Sequence, residues 1–294
     1  METRPLGTTG QESTVCTFGA IALNWLEQEG ADQMVELVLD RGVNHFDVAP
    51  AYGDAELKLA PKLEQYREEI FLGCKTMERG YDGAREKLEQ SLDRLGADTI
   101  DLYQIHGLEY EHELDAITGD DGALAAFRDA QEEGLIDHIG LTSHGDPRLI
   151  LDAIDRIDDL ESLMFPLNPV VVGKEGPEYE YERVLERAEE EDIGTLGIKA
   201  FAAGPWPPTD ELPEAERPYA NWYRPVDTQS EIDERFDFAA SQGLTSVISP
   251  GDPKLVAMVL NAADRYEEMS EAAQRTLIEG SRHEESPVPE QLHH

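Results

Sequence analysis

Short apolar runs alternate along this chain with longer stretches in which apolar residues recur every three or four positions. The runs lie at Phe18 to Ile21, His45 to Ala49, Ile70 to Lys75, Asp101 to His106, His138 to Ser143, Ser162 to Asn168, Gly194 to Ala200 and Ser246 to Pro250. Near-continuous apolarity fits strands covered on both faces, as in a parallel sheet. The stretches between them read as amphipathic helices: from Tyr81 to Leu95, the side chains of Ala84, Leu88, Leu92 and Leu95 share one helical face. Gly42, Gly96, Gly134, Gly194 and Gly243 each follow such a stretch and precede a new run, where a left-handed helix C-cap is expected. Asp146-Pro147 and Asp252-Pro253 read as the other helix end, an N-cap followed by proline at the first helical position.

Eight strand-helix units joined by right-handed crossovers close into a (β/α)8 TIM barrel, and 294 residues suit one such domain of about 250 residues with additions. The competing open, doubly wound sheet predicts a G-x-G-x-x-G turn after an early strand, and the sequence contains none. Two parts lie outside the repeat. Residues 3–16, with Gly7 and Gly10 between short extended stretches, predict an N-terminal β-hairpin that closes the barrel bottom. The proline-rich stretch from Gly204 to Asp227 carries Trp206, Trp222 and Tyr223 and follows the seventh strand, where long loops shape pockets. A single domain over 1–294 is expected, with a C-terminal helix and a flexible tail from 281 to His293-His294.

Charge alters this picture of an ordinary barrel. The 63 Asp and Glu against 24 Lys and Arg give a formal charge of -39, and only seven of the basic residues are lysines. Such self-repulsion opposes a compact state, but at about 1 M salt the Debye length falls to roughly 3 Å and exposed carboxylates are largely screened. The acids are spread through nearly every expected helix, and the composition resembles cytoplasmic proteins of salt-in halophiles such as the haloarchaea. It disfavours nucleic acid and anionic membranes as partners. No stretch approaches the roughly 20 apolar residues of a membrane span, and the first residues lack a signal-peptide pattern, so a cytoplasmic protein is expected. Cys16 and Cys74 fall in strand-like runs and read as reduced core residues, with no disulfide or metal site expected.

Asp47, Tyr52, Lys75 and His106 stand at or just past the ends of apolar runs, and barrel active sites are built at such ends. Individually each has a structural reading: an internal Asp47–Lys75 ion pair, a loop aromatic, a core histidine. Together, in the motifs Asn44-His45-Phe46-Asp47-Val48-Ala49-Pro50-Ala51-Tyr52-Gly53, Gly73-Cys74-Lys75-Thr76 and Asp101-Leu102-Tyr103-Gln104-Ile105-His106, they resemble the aldo/keto reductase family. Arg4-Pro5-Leu6-Gly7, Thr9-Gly10, Ile139-Gly140-Leu141-Thr142-Ser143 and Pro250-Gly251 with Asn261 extend the resemblance over nearly the whole chain.

The resemblance implies an NAD(P)H-dependent oxidoreductase that reduces an aldehyde or ketone to an alcohol, or runs the reverse. Tyr52 would be the general acid, its pKa lowered by Lys75 with Asp47 behind, and His106 a neutral orienter of the carbonyl. It places the cofactor against Gly19 and Ala20, against Ser143, His144 and Met164 on strands five and six, and on Ile198 and Lys199 of strand seven. The adenosine end falls at Pro250, Gly251, Lys254 and Asn261. NADP(H) is the implied default, while Gly251 and Ala257, where some members grip a 2′-phosphate with Lys and Arg, leave NAD(H) open. Trp25, Trp206 and Trp222 are the candidate substrate-pocket residues. The expected partner is a small carbonyl or alcohol, and the expected state a monomer or small homo-oligomer. The second reading is a nucleotide-binding regulatory subunit with little turnover; a barrel hydrolase or lyase would bind no nicotinamide.

Overall fold

The eight apolar runs pair side by side and close on themselves. A computed structural model describes residues 1–286. An antiparallel hairpin of β1 (Thr3–Pro5) and β2 (Glu12–Thr14) precedes the barrel strands β3 (Cys16–Gly19), β4 (His45–Asp47), β5 (Phe71–Thr76), β6 (Ile100–Leu108), β7 (Ile136–Ser143), β8 (Ser162–Pro166), β9 (Gly194–Ile198) and β10 (Ser246–Ile248). All eight barrel pairings are parallel, in the closed order β10-β3-β4-β5-β6-β7-β8-β9. Helices cover the outside, among them Tyr81–Leu95, which buries Ala84, Leu88, Leu92 and Leu95 as the periodicity predicts. Asp146 accepts from the amide of Arg148 and Asp252 from that of Lys254, so both Asp-Pro pairs open helices as expected.

Apolar side chains form two layers. The larger lies between strands and helices and includes buried Cys16 and Cys74. The smaller fills the lumen with Leu6, Leu102, Met164, Leu196 and Ile248. Leu6 comes from the loop of the N-terminal hairpin, so the hairpin plugs one end of the barrel and leaves the other for chemistry. Arg4 fastens this plug, donating to the carbonyls of Ala240 and Leu244 at 2.7 and 2.6 Å.

Three expectations need correction. Gly194 is not a helix C-cap: the left-handed residue there is Asp192 (φ 54°), and Gly194 opens β9 where an added Cβ would lie 2.5 Å from Leu6. The first barrel strand is Cys16–Gly19, not Phe18 to Ile21, and Ala20–Trp25 forms a 3-10 turn. Gly19 ends the strand by packing so close to β10 that a Cβ would sit 2.6 Å from the Ser249 carbonyl oxygen. The supposed tail begins as packed structure: Ser281 is buried at the end of the helix Glu271–Ser281, and Arg235 donates to both Glu284 oxygens at 2.8 and 2.9 Å. His293-His294 lies outside the described residues. Among the described residues no helix is long and apolar enough to cross a membrane.

Candidate active site

Side chains alternate sides along a strand, so a polar residue on the inward parity of a barrel strand meets other inward residues or nothing. Asp47 ends β4 and Lys75 lies one position short of the end of β5; Lys75 Nζ donates to both Asp47 carboxylate oxygens, with Lys75 1% and Asp47 2% exposed. Gln104, the inward residue two before His106, adds a bond from Nε2 to Asp47 Oδ1 at 3.2 Å. Burial by itself would drive the lysine toward its neutral form. Asp47, followed by Tyr52, outweighs it and holds Lys75 above its usual pKa, as an ammonium.

Tyr52 sits on the turn after β4, with its amide bonded to the Ala49 carbonyl at 3.0 Å. The turn needs glycine next: Gly53 has φ +61°, and a Cβ there would lie 2.3 Å from Asn24 Oδ1. Arg94 pins it from below, donating through Nη2 to the Gly53 carbonyl at 2.7 Å and through Nε to the fully buried Glu56 at 2.7 Å. Arg94→Ala takes the ion-pair partner from fully buried Glu56. It is expected to cost about 3–5 kcal/mol and to lower the melting temperature by roughly 10 °C in a thermal melt.

Burial is the main influence on the Tyr52 hydroxyl and raises its pKa; Lys75 pulls it down, Asp47 pushes it up, and the outcome is about 12. The expected lowering by Lys75 is therefore present but outweighed. Tyr52 stays protonated across neutral pH. Lys75 Nζ lies 5.4 Å from the Tyr52 ring centroid, and the His106 ring meets Tyr52 edge-on at 5.8 Å.

His106 owes its place to an irregularity. Ile105 pairs with Leu141 but Leu108 pairs with Ser143, so β6 carries one residue more than β7 across this interval. Before it, Leu102 fills the lumen while Tyr103 and Ile105 face the helices; beyond it, Leu108 has rejoined the outer layer despite its even parity. The extra residue lets His106 turn to the cavity without forcing Leu108 to follow. Gly107 takes φ +70°, its amide donates to Thr142 Oγ1 at 2.7 Å, and Arg79 donates to the carbonyls of His106 and Gly107 at 3.1 and 2.8 Å. Burial first, then Lys75 and Arg79, lower the His106 pKa to about 3, leaving a neutral imidazole.

All four residues line one cavity of about 370 Å³ at the open end of the barrel. Gly19, Trp25, His144, Met164, Ile198, Lys199, Trp222, Pro250 and Gly251 line it too. The remaining predicted residues lie elsewhere. Ala20 is buried in its turn. Ser143 spends its hydroxyl on the Leu108 carbonyl at 2.7 Å and the Gly145 amide at 3.1 Å, and its neighbour Thr142 reaches the cavity instead. Asn261 bonds Arg41 and Gln229. Lys254 lines an adjoining groove with Arg217 and Tyr219. Trp206 holds the proline-rich loop together, donating to the Asn221 carbonyl at 2.7 Å beneath Arg217.

Sequence reasoning missed Gln104, Thr142, Asn221 and Ser249. Gln104 carried a signal: it is polar and shares His106's parity in an otherwise apolar strand. Asn221 carried none, since its place follows from the loop crossing the mouth, where Ala220 donates to Asp252 Oδ2 at 2.7 Å and Lys254 Nζ to the Pro218 carbonyl at 2.8 Å. The cavity and groove share Trp25, Ala220, Asn221 and Trp222 and form one elongated cleft.

A barrel whose mouth brings together a protonated tyrosine, a lysine ammonium and a neutral imidazole has the layout of a candidate (β/α)8 active site. The model of the Aldo/keto reductase family matches residues 16–248, and the chain belongs to that family. An aldo-keto reductase of Mycobacterium sp. (strain KMS) is 32% identical over 48% of this chain and 52% of its own length. Aldo-keto reductase YhdN of Bacillus subtilis is 26% identical over 69% and 63%. The matches thus span about half to two thirds of these curated relatives. The holo form of an aldo-keto reductase from Bacillus halodurans superimposes with a TM-score of 0.74 at 21% identity over the whole of both chains, a likeness of fold.

Proposed function

We propose that the protein is an NAD(P)H-dependent oxidoreductase that interconverts aldehydes or ketones with alcohols. The observation that carries this reading is the convergence of Tyr52, His106 and the Asp47–Lys75 pair on one cavity, each held from behind. The cleft suits a dinucleotide by running from the cavity into the adjoining groove and by offering both a donor and an acceptor at Asn221, whose Nδ2 and Oδ1 are buried without a hydrogen-bond partner. Gly19, Met164, Ile198 and Asn221 would hold the nicotinamide end and Arg217 and Lys254 the phosphate end. A bound reduced nicotinamide supplies hydride to the carbonyl carbon.

The chain's own residues handle the proton. His106 donates from its neutral ring to the carbonyl oxygen and fixes the carbonyl against Tyr52. Tyr52, protonated at neutral pH, transfers its proton as negative charge develops on that oxygen. Lys75 then faces a phenolate, whose charge it stabilises, and Asp47 with Gln104 keeps the ammonium from turning away. Trp25 and Trp222 border the cavity as the substrate rim. A regulatory subunit would bind nucleotide without needing this acid.

The family default is NADP(H), yet Asp252 sets a carboxylate beside Lys254, so the phosphate end is not strongly basic. The reading places the protein in a salt-rich cytoplasm, as a monomer or small homo-oligomer. To test it, NADPH and NADH are added separately to the protein in molar KCl, with fluorescence quenching and aldehyde-dependent cofactor oxidation recorded. Binding with turnover is expected. Binding without turnover would favour the regulatory subunit, and binding of neither would overturn both.

A further inference from the structure

The two lysines that line the cavity are placed differently. Lys75 has its carboxylate, whereas Lys199, just past the end of β9 and 5% exposed, has no hydrogen-bond partner at Nζ. Its backbone is unusual as well: φ is +59°, a left-handed conformation that a non-glycine residue keeps only where the surroundings impose it. Here they do, since Asn168 Nδ2 and the Ala202 amide both donate to the Lys199 carbonyl at 3.1 Å. Trp222 then covers the ammonium, with Nζ 4.6 Å from its ring centroid.

A second orphan lies nearby. His144 Nδ1 is buried with no partner, and its ring is kept neutral first by burial and then by the charge of Lys199. Burying an ammonium without an anion is costly, and no acid of the cavity repays it: Asp47 is taken by Lys75, and Glu109, beyond β6, acts on Lys199 without forming an ion pair. Resting on the oxidoreductase reading, we infer that Lys199, with His144 beside it and Trp222 of the substrate rim over it, forms the receptor for a carboxylate that the substrate carries into the cavity.

Occupancy is coupled to a proton. Burial brings the Lys199 pKa down to about 7, with only Glu109 opposing; His144, His106, Tyr52, Tyr223 and the Asp47–Lys75 pair are the other ionisable groups lining the cavity. An anion favours the ammonium and raises that pKa, so binding takes up a proton above pH 7 and affinity falls up to tenfold per pH unit there.

The test compares wild type with Lys199→Met and with Lys199→Arg, which stays charged. One arm reads kcat/KM for succinate semialdehyde relative to butyraldehyde at saturating NADPH; the other reads the NADPH Kd by fluorescence, both from pH 6 to 9. A substrate carboxylate predicts at least a tenfold fall of the semialdehyde preference in Lys199→Met. The wild-type semialdehyde preference also declines from pH 7 to 9 while that of Lys199→Arg stays flat; a preference unchanged in Lys199→Met, with at least a tenfold rise in its NADPH Kd, overturns the proposal and gives the lysine to the dinucleotide. Wild-type turnover with neither arm responding to either variant overturns the anion receptor alone. A wild type that neither binds NADPH nor turns over aldehyde overturns it together with the oxidoreductase reading.

Discussion

Tyr52→Phe is expected to lower kcat by about a thousandfold while leaving the NADPH Kd within about twofold of wild type. The ring survives the change, so its packing against His106 and Lys75 is kept, and only the donated proton is lost. With Tyr52 neutral up to about 12 and His106 neutral down to about 3, neither residue ionises between pH 5 and 9. Loss of the acid should therefore lower the whole pH–rate profile without moving its inflections. Stopped-flow single turnover separates the chemical step from product release, and a Phe variant that keeps wild-type single-turnover rates would remove Tyr52 from the mechanism.

Lowering KCl from about 2 M to about 0.05 M is expected to drop the melting temperature by 10 °C or more, several kcal/mol of lost stability for a chain of this size. Arginines already work near capacity: Arg187 alone meets Asp155, Glu190 and Glu191, and 63 acids against 24 bases are more carboxylates than the basic residues can pair. At molar salt these repulsions are screened, whereas at low salt the Debye length exceeds ten ångströms and they act across several residues. The Asp47–Lys75 and Glu56–Arg94 pairs, shielded by burial, should hardly respond. Differential scanning calorimetry across the salt series checks this, and a flat melting temperature would discard the high-salt reading.

The barrel is legible in the sequence because burial on both faces leaves an unmistakable signature of apolar runs, punctuated by Asp-Pro caps and glycine stops. The four polar residues proposed for proton transfer are legible for the same reason, as polar intrusions at the ends of those runs. What the pattern hides is set by long-range contact. Gly194 is glycine because Leu6, nearly two hundred residues earlier, lies against it, and no local rule distinguishes that from a helix cap. Ser143 reads as a ligand donor until the Leu108 carbonyl claims its hydroxyl. The sense of the Tyr52 shift was equally out of reach: Lys75 is visible in the sequence, but the degree of burial that outweighs it is not.

The added residue in β6 makes chain length, and not only chemistry, a determinant of activity. Substituting Thr142 or Arg79 would loosen His106, but deleting Gly107 would bring β6 back into step with β7 and remove the residue at φ +70° whose amide and carbonyl Thr142 and Arg79 hold, so the His106 backbone would lose the turn that sets it at the cavity. The deletion would keep all four side chains proposed for proton transfer and still displace one of them. In sequence comparisons of such barrels, a one-residue gap at this point is thus as informative as a replaced catalytic residue.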